Sequence, residues 1–124
     1  MGAQENKRTA QAAYAAFSNG EAESAMANID DSIAWTVRGD NALTGIHQGR
    51  QAVGELWGRF MSKGFSTEPH DFIAEGNTVV VLTTATLDGE TVESADVLTY
   101  NDAGKLVAFD TLADETAPNR VFPR

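Results

Sequence analysis

Apolar and polar residues follow two different periods along this 124-residue chain, and the change of period separates helices from strands. In the first half, apolar residues recur every three or four positions, as on one face of an amphipathic helix, and Tyr14 falls on such a stripe with Ala10, Ala13 and Phe17. In the second half they alternate singly or form short β-branched runs between glycine-containing turns, which is typical of strands. The pattern predicts helices at 5–19, 21–28 and 49–63, and strands at 29–37, 65–75, 78–87, 92–100 and 105–114.

The last two predicted strands form a long antiparallel hairpin around the turn at 101–104. Successive side chains of a strand point to opposite faces, so Asp96 shares a face with Leu98 and Tyr100. An ionised carboxylate among apolar side chains is costly, and such a group is usually paired, hydrogen-bonded or held neutral. Asp96 is therefore either a functional proton donor in a pocket or an ordinary strand acid whose oxygens accept from a backbone amide.

The order of the predicted elements, two helices, a strand, a helix and four strands, indicates an α+β fold. Short turns between consecutive strands favour a cone-shaped, strongly curved antiparallel sheet with three helices on its concave side. The interior of such a cone is a natural ligand pocket. We expect a single domain over residues 1–124, with an irregular tail at 116–124 because this segment contains two prolines. The apolar pair at 121–122 is expected to dock on the domain.

Three segments have patterns that are less regular than those of the other elements. In the first strand, alternation puts Trp35 on the apolar face and Thr36 on the opposite face. The strand at 65–75 contains Pro69, which has no backbone N–H to donate, so we expect an edge position or a bulge there. The polar, glycine-rich segment 38–49 is expected to be a connection without regular structure.

Composition limits the classes of function. The formal charge of −9, from 9 basic and 18 acidic residues, argues against nucleic acid and anionic membranes as partners. The absence of cysteine excludes disulfide and thiolate chemistry. With no apolar run near 18 residues and no signal-peptide pattern, we expect a cytoplasmic protein. His47 and His70 are isolated and have no metal-ligand spacing around them, so we expect no metal and no cofactor.

The element order, together with several short stretches, resembles the ketosteroid isomerase and SnoaL-like branch of the nuclear transport factor 2-like superfamily, whose fold is also called cystatin-like. The resemblance covers residues from about 9 to 114, and no single stretch is specific on its own. It implies a homodimer. Residues 14–21 correspond to the end of the family's first helix, and residues 30–35 to its first strand. Residues 45–49 correspond to the start of its third helix, and residues 96–105 to its acid-bearing strand with an Asn-x-Ala-Gly-Lys turn.

The resemblance also implies roles for individual residues. Tyr14 matches the tyrosine that donates a hydrogen bond to the enolate oxygen in the isomerases, and Asp96 matches their protonated aspartic acid, which donates a second one. The isomerases' general base falls at Thr36, which cannot accept a proton near neutral pH. This match would place Thr36 inside the pocket, whereas alternation places Trp35 inside, and both readings stay open. Asp40, four residues on, is the remaining candidate for the base.

We therefore expect a small-molecule pocket, best interpreted as an isomerase, cyclase or lyase that polarises the carbonyl of a small apolar substrate. Catalysis would involve Tyr14, Asp96 and Asp40. A non-catalytic binder of an apolar small molecule and a dimeric structural or partner-binding module are the alternatives. Apolar and aromatic residues are expected to line the pocket, although such residues more often form a core. The expected substrate-binding residues are Phe17, Trp35, Trp57, Phe60, Val81, Leu98 and Phe109.

Overall fold

The computed structural model describes residues 2–124. Within these residues the chain forms four helices and six strands. The helices are α1 (Ala3–Ser18), α2 (Ala22–Met26), α3 (Arg50–Met61) and α4 (Thr116–Val121). The strands are β1 (Ile29–Val37), β2 (Gly45–Gln48), β3 (Ser66–Glu75), β4 (Thr78–Leu87), β5 (Glu90–Tyr100) and β6 (Leu106–Leu112).

The strands form one open, curved sheet in the order β2-β1-β6-β5-β4-β3. This is the α+β fold that the element order predicts, with α1 packed on β3 and β4, and α3 packed on β1 and β2. The expectation of a wholly antiparallel sheet is wrong at one place, because β1 and β6 are parallel. They are not consecutive in the chain, and the intervening elements bring the chain back so that it enters β6 in the direction of β1.

Helix α1 supplies the apolar stripe expected from its sequence. Ala10 is fully buried against the sheet, and Tyr14 packs against the same core cluster. The helix ends at Ser18 because the chain then takes a left-handed conformation at Gly20, where φ is 76°. Glycine adopts this conformation without the steric cost that a Cβ would bring.

The hairpin of β5 and β6 sets the inner face of the sheet. Along β5 the alternate residues Ser94, Asp96, Leu98 and Tyr100 are all buried, as the alternation predicts. The β5–β6 ladder contains an irregularity between Thr99 and Tyr100. A bulge of this kind shifts the pairing by one residue and so changes which side chains lie opposite each other.

The expected connection at 38–49 contains a strand that the sequence analysis missed. Residues Gly45–Gln48 pair antiparallel with β1, which would otherwise leave the backbone groups of its outer edge unpaired. Strand β3 confirms the expectation based on Pro69, since it is the opposite edge strand and its pairing with β4 shifts between Pro69 and Asp71.

The tail is not irregular as expected, because Thr116–Val121 forms a helix. Pro118 lies in the first turn, where the backbone N–H of a residue has no partner within the helix, so proline is tolerated there. The expected docking of the apolar pair is confirmed, since Phe122 is buried against Leu43, Leu56 and neighbouring apolar residues. None of the helices formed by residues 2–124 combines the length and the hydropathy that crossing a bilayer requires.

Candidate functional site

A cavity of about 220 Å³ lies between the concave face of the sheet and the helices. A cavity of roughly 150 Å³ is enough to hold benzene, so this one can accept a small ring compound. Strand β5 contributes much of one wall, because every second side chain of the strand faces inward. The residues of β5 that border the cavity are Glu90, Val92, Ser94, Asp96, Leu98 and Tyr100.

Three elements bring their polar side chains together at this wall. Tyr14, on α1, donates its hydroxyl to Oδ2 of Asp96 on β5. Thr111, on β6, donates its Oγ1 hydroxyl to the other carboxylate oxygen, Oδ1, over 2.9 Å. Asp96 is only 5% exposed, and all three residues border the cavity. The structure thus joins the two residues that the resemblance singled out and adds a third.

Burial decides the protonation of this cluster. Desolvation raises the pKa of Asp96, and the hydrogen bonds from Tyr14 and Thr111, which lower it, do not cancel that effect. Burial, followed by the charge of Asp96, also raises the pKa of Tyr14 well above its ordinary value, so Tyr14 stays protonated. Burial therefore shifts both groups of the cluster toward their protonated forms.

The number of protons on Tyr14 and Asp96 determines what the pair can do for a ligand. When Asp96 is ionised, the hydroxyl proton of Tyr14 is used in the bond to Oδ2 and none is left for a third group. When Asp96 is protonated, the Tyr14 hydroxyl and the Asp96 carboxyl together carry two protons. One proton forms the hydrogen bond between the two residues, and the other can be donated to a ligand in the cavity. A neutral Asp96 thus converts the pair into a hydrogen-bond donor toward the cavity.

Aromatic side chains form the wall around these groups. The rings of Trp35 and Phe109 stack with their centroids 3.7 Å apart, and Trp57 meets Trp35 edge-on at 5.7 Å. Trp35 is therefore an inward residue of β1, as alternation predicts. Thr36, whose ladder partner Ile46 is 64% exposed, also borders the cavity, so Trp35 and Thr36 both contribute to its wall.

The cavity is bordered by six of the seven residues expected to bind substrate: Phe17, Trp35, Trp57, Phe60, Leu98 and Phe109. Val81 is the exception, and the expectation that it lines the pocket is wrong. It lies on β4 opposite Asp96, but it is fully buried within the core cluster that includes Ala10 of α1. Helix α1 lies over this part of the sheet, so Val81 is packed under a helix and does not reach the open space.

Asp40 does not lie at the cavity, and the expectation that it is the base is wrong. Its side chain is 83% exposed and forms an ion pair with Arg124. Its backbone N–H donates to Oδ1 of Asn119, 2.8 Å away, which ties this loop to the tail helix. The chain turns away from the pocket at Gly39, where φ is 111°, so the residue that follows points into solvent.

Sequence analysis missed several polar residues of the cavity, among them Thr111, Tyr100 and the carboxylates Glu90, Asp114 and Glu115. Thr111 lies directly opposite Asp96 in the β5–β6 ladder, a pairing that only the register reveals. Tyr100 shares the face of Asp96, which the alternation did show, but nothing in the sequence indicates that its hydroxyl borders a cavity. Within residues 2–124, no three His, Asp or Glu side chains are grouped so as to hold a metal ion.

Comparison with known proteins gives the family. The family model for the SnoaL-like domain matches residues 10–109. No curated protein sequence matches the chain.

Solved structures similar to this chain include an NTF2-like protein from Burkholderia xenovorans, with 26% identity, 98% of each chain covered and a TM-score of 0.77. TerC, co-crystallised with polyporic acid, is 23% identical over 94% of this chain and 96% of its own, with a TM-score of 0.81. A protein from Kribbella flavida provisionally named a ketosteroid isomerase is 13% identical over 91% and 80%, with a TM-score of 0.78. The chain therefore belongs to the SnoaL-like domain family and has the nuclear transport factor 2-like fold.

Proposed function

We propose that this protein binds a small, mostly apolar compound through a carbonyl or phenolic oxygen and polarises that oxygen, as an isomerase or cyclase of carbonyl compounds does. The observation that carries the proposal is the hydrogen-bonded cluster of Tyr14, Asp96 and Thr111 at the wall of an otherwise apolar cavity. Membership of the SnoaL-like family and the likeness to TerC with polyporic acid support a small-molecule ligand.

The cluster acts on the oxygen where negative charge develops. With Asp96 neutral, the Tyr14–Asp96 pair donates one proton to the ligand oxygen while Thr111 keeps Oδ1 of Asp96 in place. A preorganised donor aimed at a developing oxyanion in a site shielded from water contributes about 10²–10³ in rate. The apolar walls strengthen this effect, because they lower the local dielectric and exclude competing water.

An isomerase also needs a proton acceptor, and three carboxylates besides Asp96 border the cavity. Glu90 is ion-paired with Arg120 at 2.6 Å, and Asp114 accepts the backbone N–H of Thr116 at 2.8 Å. Glu115 is half-buried, and no hydrogen bond engages its carboxylate within residues 2–124. Glu115 is therefore the proton acceptor of this proposal, in the place first expected of Asp40.

A non-catalytic binder of the same kind of ligand is the second candidate. It is favoured by β1, where the position that matches the isomerases' base is Thr36 and the next carboxylate, Asp40, lies in solvent. Without a proton acceptor nearby, the Tyr14–Asp96 pair holds the ligand oxygen and orients the ligand, but it does not catalyse a reaction.

The test uses 2-naphthol as a phenolic probe, followed by its fluorescence, and a β,γ-unsaturated ketone as substrate. We expect Tyr14→Phe to weaken naphthol binding about 10-fold, because it removes a hydrogen bond to a polarised oxygen. Turnover of the enone by the wild type, lost in Glu115→Gln with naphthol affinity retained, would support the enzyme. Binding without turnover would support the binder. Naphthol binding equal in wild type and Tyr14→Phe would contradict both.

We also propose that the protein is a homodimer through the outer face of the sheet. Leu82, Ala95 and Leu112 lie side by side across β4, β5 and β6, and Leu82 and Leu112 are 37% and 49% exposed in the single chain. A contiguous exposed apolar patch marks an interface. Light scattering should show a dimer that Leu82→Arg dissociates, whereas Met61→Lys, on the exposed side of α3, leaves it intact. A monomeric wild type would contradict the proposal.

A further inference from the structure

The hydroxyl of Tyr100 is a polar group at the cavity that the Tyr14–Asp96–Thr111 cluster does not use. Tyr100 is the last residue of β5 and lies on the same face as Asp96. It is 3% exposed and borders the cavity. No side chain or backbone group among residues 2–124 accepts or donates a hydrogen bond at this hydroxyl, and burial alone raises its pKa, so it remains a protonated donor.

An unpartnered phenol in this place needs a physical explanation. A buried tyrosine hydroxyl normally finds a hydrogen-bond partner, and leaving one unpaired costs about 1–3 kcal/mol. Among residues 2–124, the side-chain oxygens that are sealed from solvent and unpaired belong to Asn6 and Thr67, and the Tyr100 oxygen is not one of them. It therefore keeps contact with open space, and the open space beside Tyr100 is the cavity.

The Tyr100 hydroxyl lies near the cluster without joining it. Its phenol is close enough to contribute to the raised pKa of Tyr14. The side chains around this end of the cavity are mainly apolar, and Ile29 and Leu106 are buried among them. When a ligand oxygen binds the Tyr14–Asp96 pair, other atoms of the same ligand therefore lie near a second donor, the Tyr100 hydroxyl.

We propose that Tyr100 donates a hydrogen bond to a second oxygen of the ligand and so selects compounds with two oxygen functions on one conjugated ring system, such as hydroxy-enones, cyclic 1,3-diketones or dihydroxyarenes. This inference rests on the proposed function, because it assumes that the first oxygen is held by Tyr14 and Asp96. Tyr100 is a specificity-determining residue in this view, and the first oxygen is polarised without it.

The experiment compares 2-naphthol with a set of dihydroxynaphthalenes that differ only in the position of the second hydroxyl. We expect at least one isomer to bind the wild type about 5-fold more tightly than 2-naphthol, which is the effect of one additional net hydrogen bond. Tyr100→Phe should abolish that gain and leave 2-naphthol affinity within about 2-fold. Thr67→Val is the matched control, since it removes another unpaired hydroxyl, which is sealed within a residue that borders the cavity, and it should leave the gain unchanged.

The possible failures are distinguishable. If 2-naphthol binds in a Tyr14-dependent way but no dihydroxy isomer gains from Tyr100, this inference is overturned and the proposed function stands. If 2-naphthol binding does not depend on Tyr14, both are overturned. Urea unfolding supplies the structural check. Tyr100→Phe should unfold at the same or a higher urea concentration, because it removes an unpaired oxygen, and a clear loss of stability would show that the hydroxyl has a structural partner.

Discussion

Asp96 and Asp110 lie on the two strands of one hairpin, yet the fold gives them opposite properties. Asp96 faces the concave side, is 5% exposed, and burial raises its pKa. Asp110 faces the outer side, where Arg38 binds both of its oxygens at 2.8 and 2.9 Å and lowers its pKa. The face of the strand and the nearest partner, and not the residue type, decide whether the pKa of an aspartate is raised or lowered.

The largest expected effect separates the two aspartates by ligand binding. Asp96→Asn should weaken 2-naphthol binding about 10- to 100-fold, because a charge-assisted or proton-sharing partner of Tyr14 is replaced by an amide. Asp110→Asn is the matched control and should change affinity less than about 2-fold, because Asp110 itself does not border the cavity. Fluorescence titration measures both constants. Equal losses in the two variants would mean that the site does not lie on the concave face.

The next effect concerns the third member of the cluster. Thr111→Val removes the hydroxyl that donates to Oδ1 of Asp96 and keeps the shape of the side chain. We expect the free energy of unfolding at neutral pH to fall by about 1 kcal/mol, as for one lost hydrogen bond to a buried acceptor. Urea denaturation measures it. Thr67→Val has no hydrogen bond to lose and should be neutral or stabilising, so an equal loss there would contradict this account.

The contributions of Asp96 and Asp110 to the free energy of unfolding should depend on pH in opposite directions. The pKa of Asp96 is raised in the folded state, so its contribution is fully present below the unfolded pKa and is lost as pH rises through the folded pKa. The pKa of Asp110 is lowered, so its contribution is present above the unfolded pKa and is lost as pH falls through the folded pKa.

Urea midpoints measured from acidic to neutral pH test these signs. Asp96→Asn should remove part of the decline in stability toward neutral pH, whereas Asp110→Asn should remove part of the decline toward acid. If both variants flatten the same side of the profile, the contrast between the buried and the paired aspartate is wrong.

The smallest effect is expected at the surface ion pair. Arg38→Gln should lower the free energy of unfolding only slightly, because the side chain of Arg38 is half-exposed and solvent screens the attraction to Asp110. Added salt should reduce the difference between wild type and variant. A loss of several kcal/mol that salt does not change would mean that this pair is not the solvated interaction described above.

The face of each site residue could be predicted from the sequence, because strand and helix periodicities are local. Alternation along 92–100 placed Asp96 inward, and helical spacing placed Tyr14 on the buried stripe. The same reasoning placed Trp35 inward correctly. It failed for Val81, because an inward side chain is either packed under a helix or left at open space, and the sequence does not distinguish the two.

The sequence by itself determined the order of the main elements and the side of the sheet to which each polar group points. Only the tertiary structure decided which groups meet. Continuing the ladder from the pair Tyr100–Leu106 without a bulge would set Asp96 against Asp110, whereas the bulge sets it against Thr111. Likewise, Asp40 lies in solvent, where it pairs with the distant residue Arg124, and the fold of the tail places Glu115 at the cavity. Periodicity is a local property, but register and loop placement are set by the packing of the whole domain.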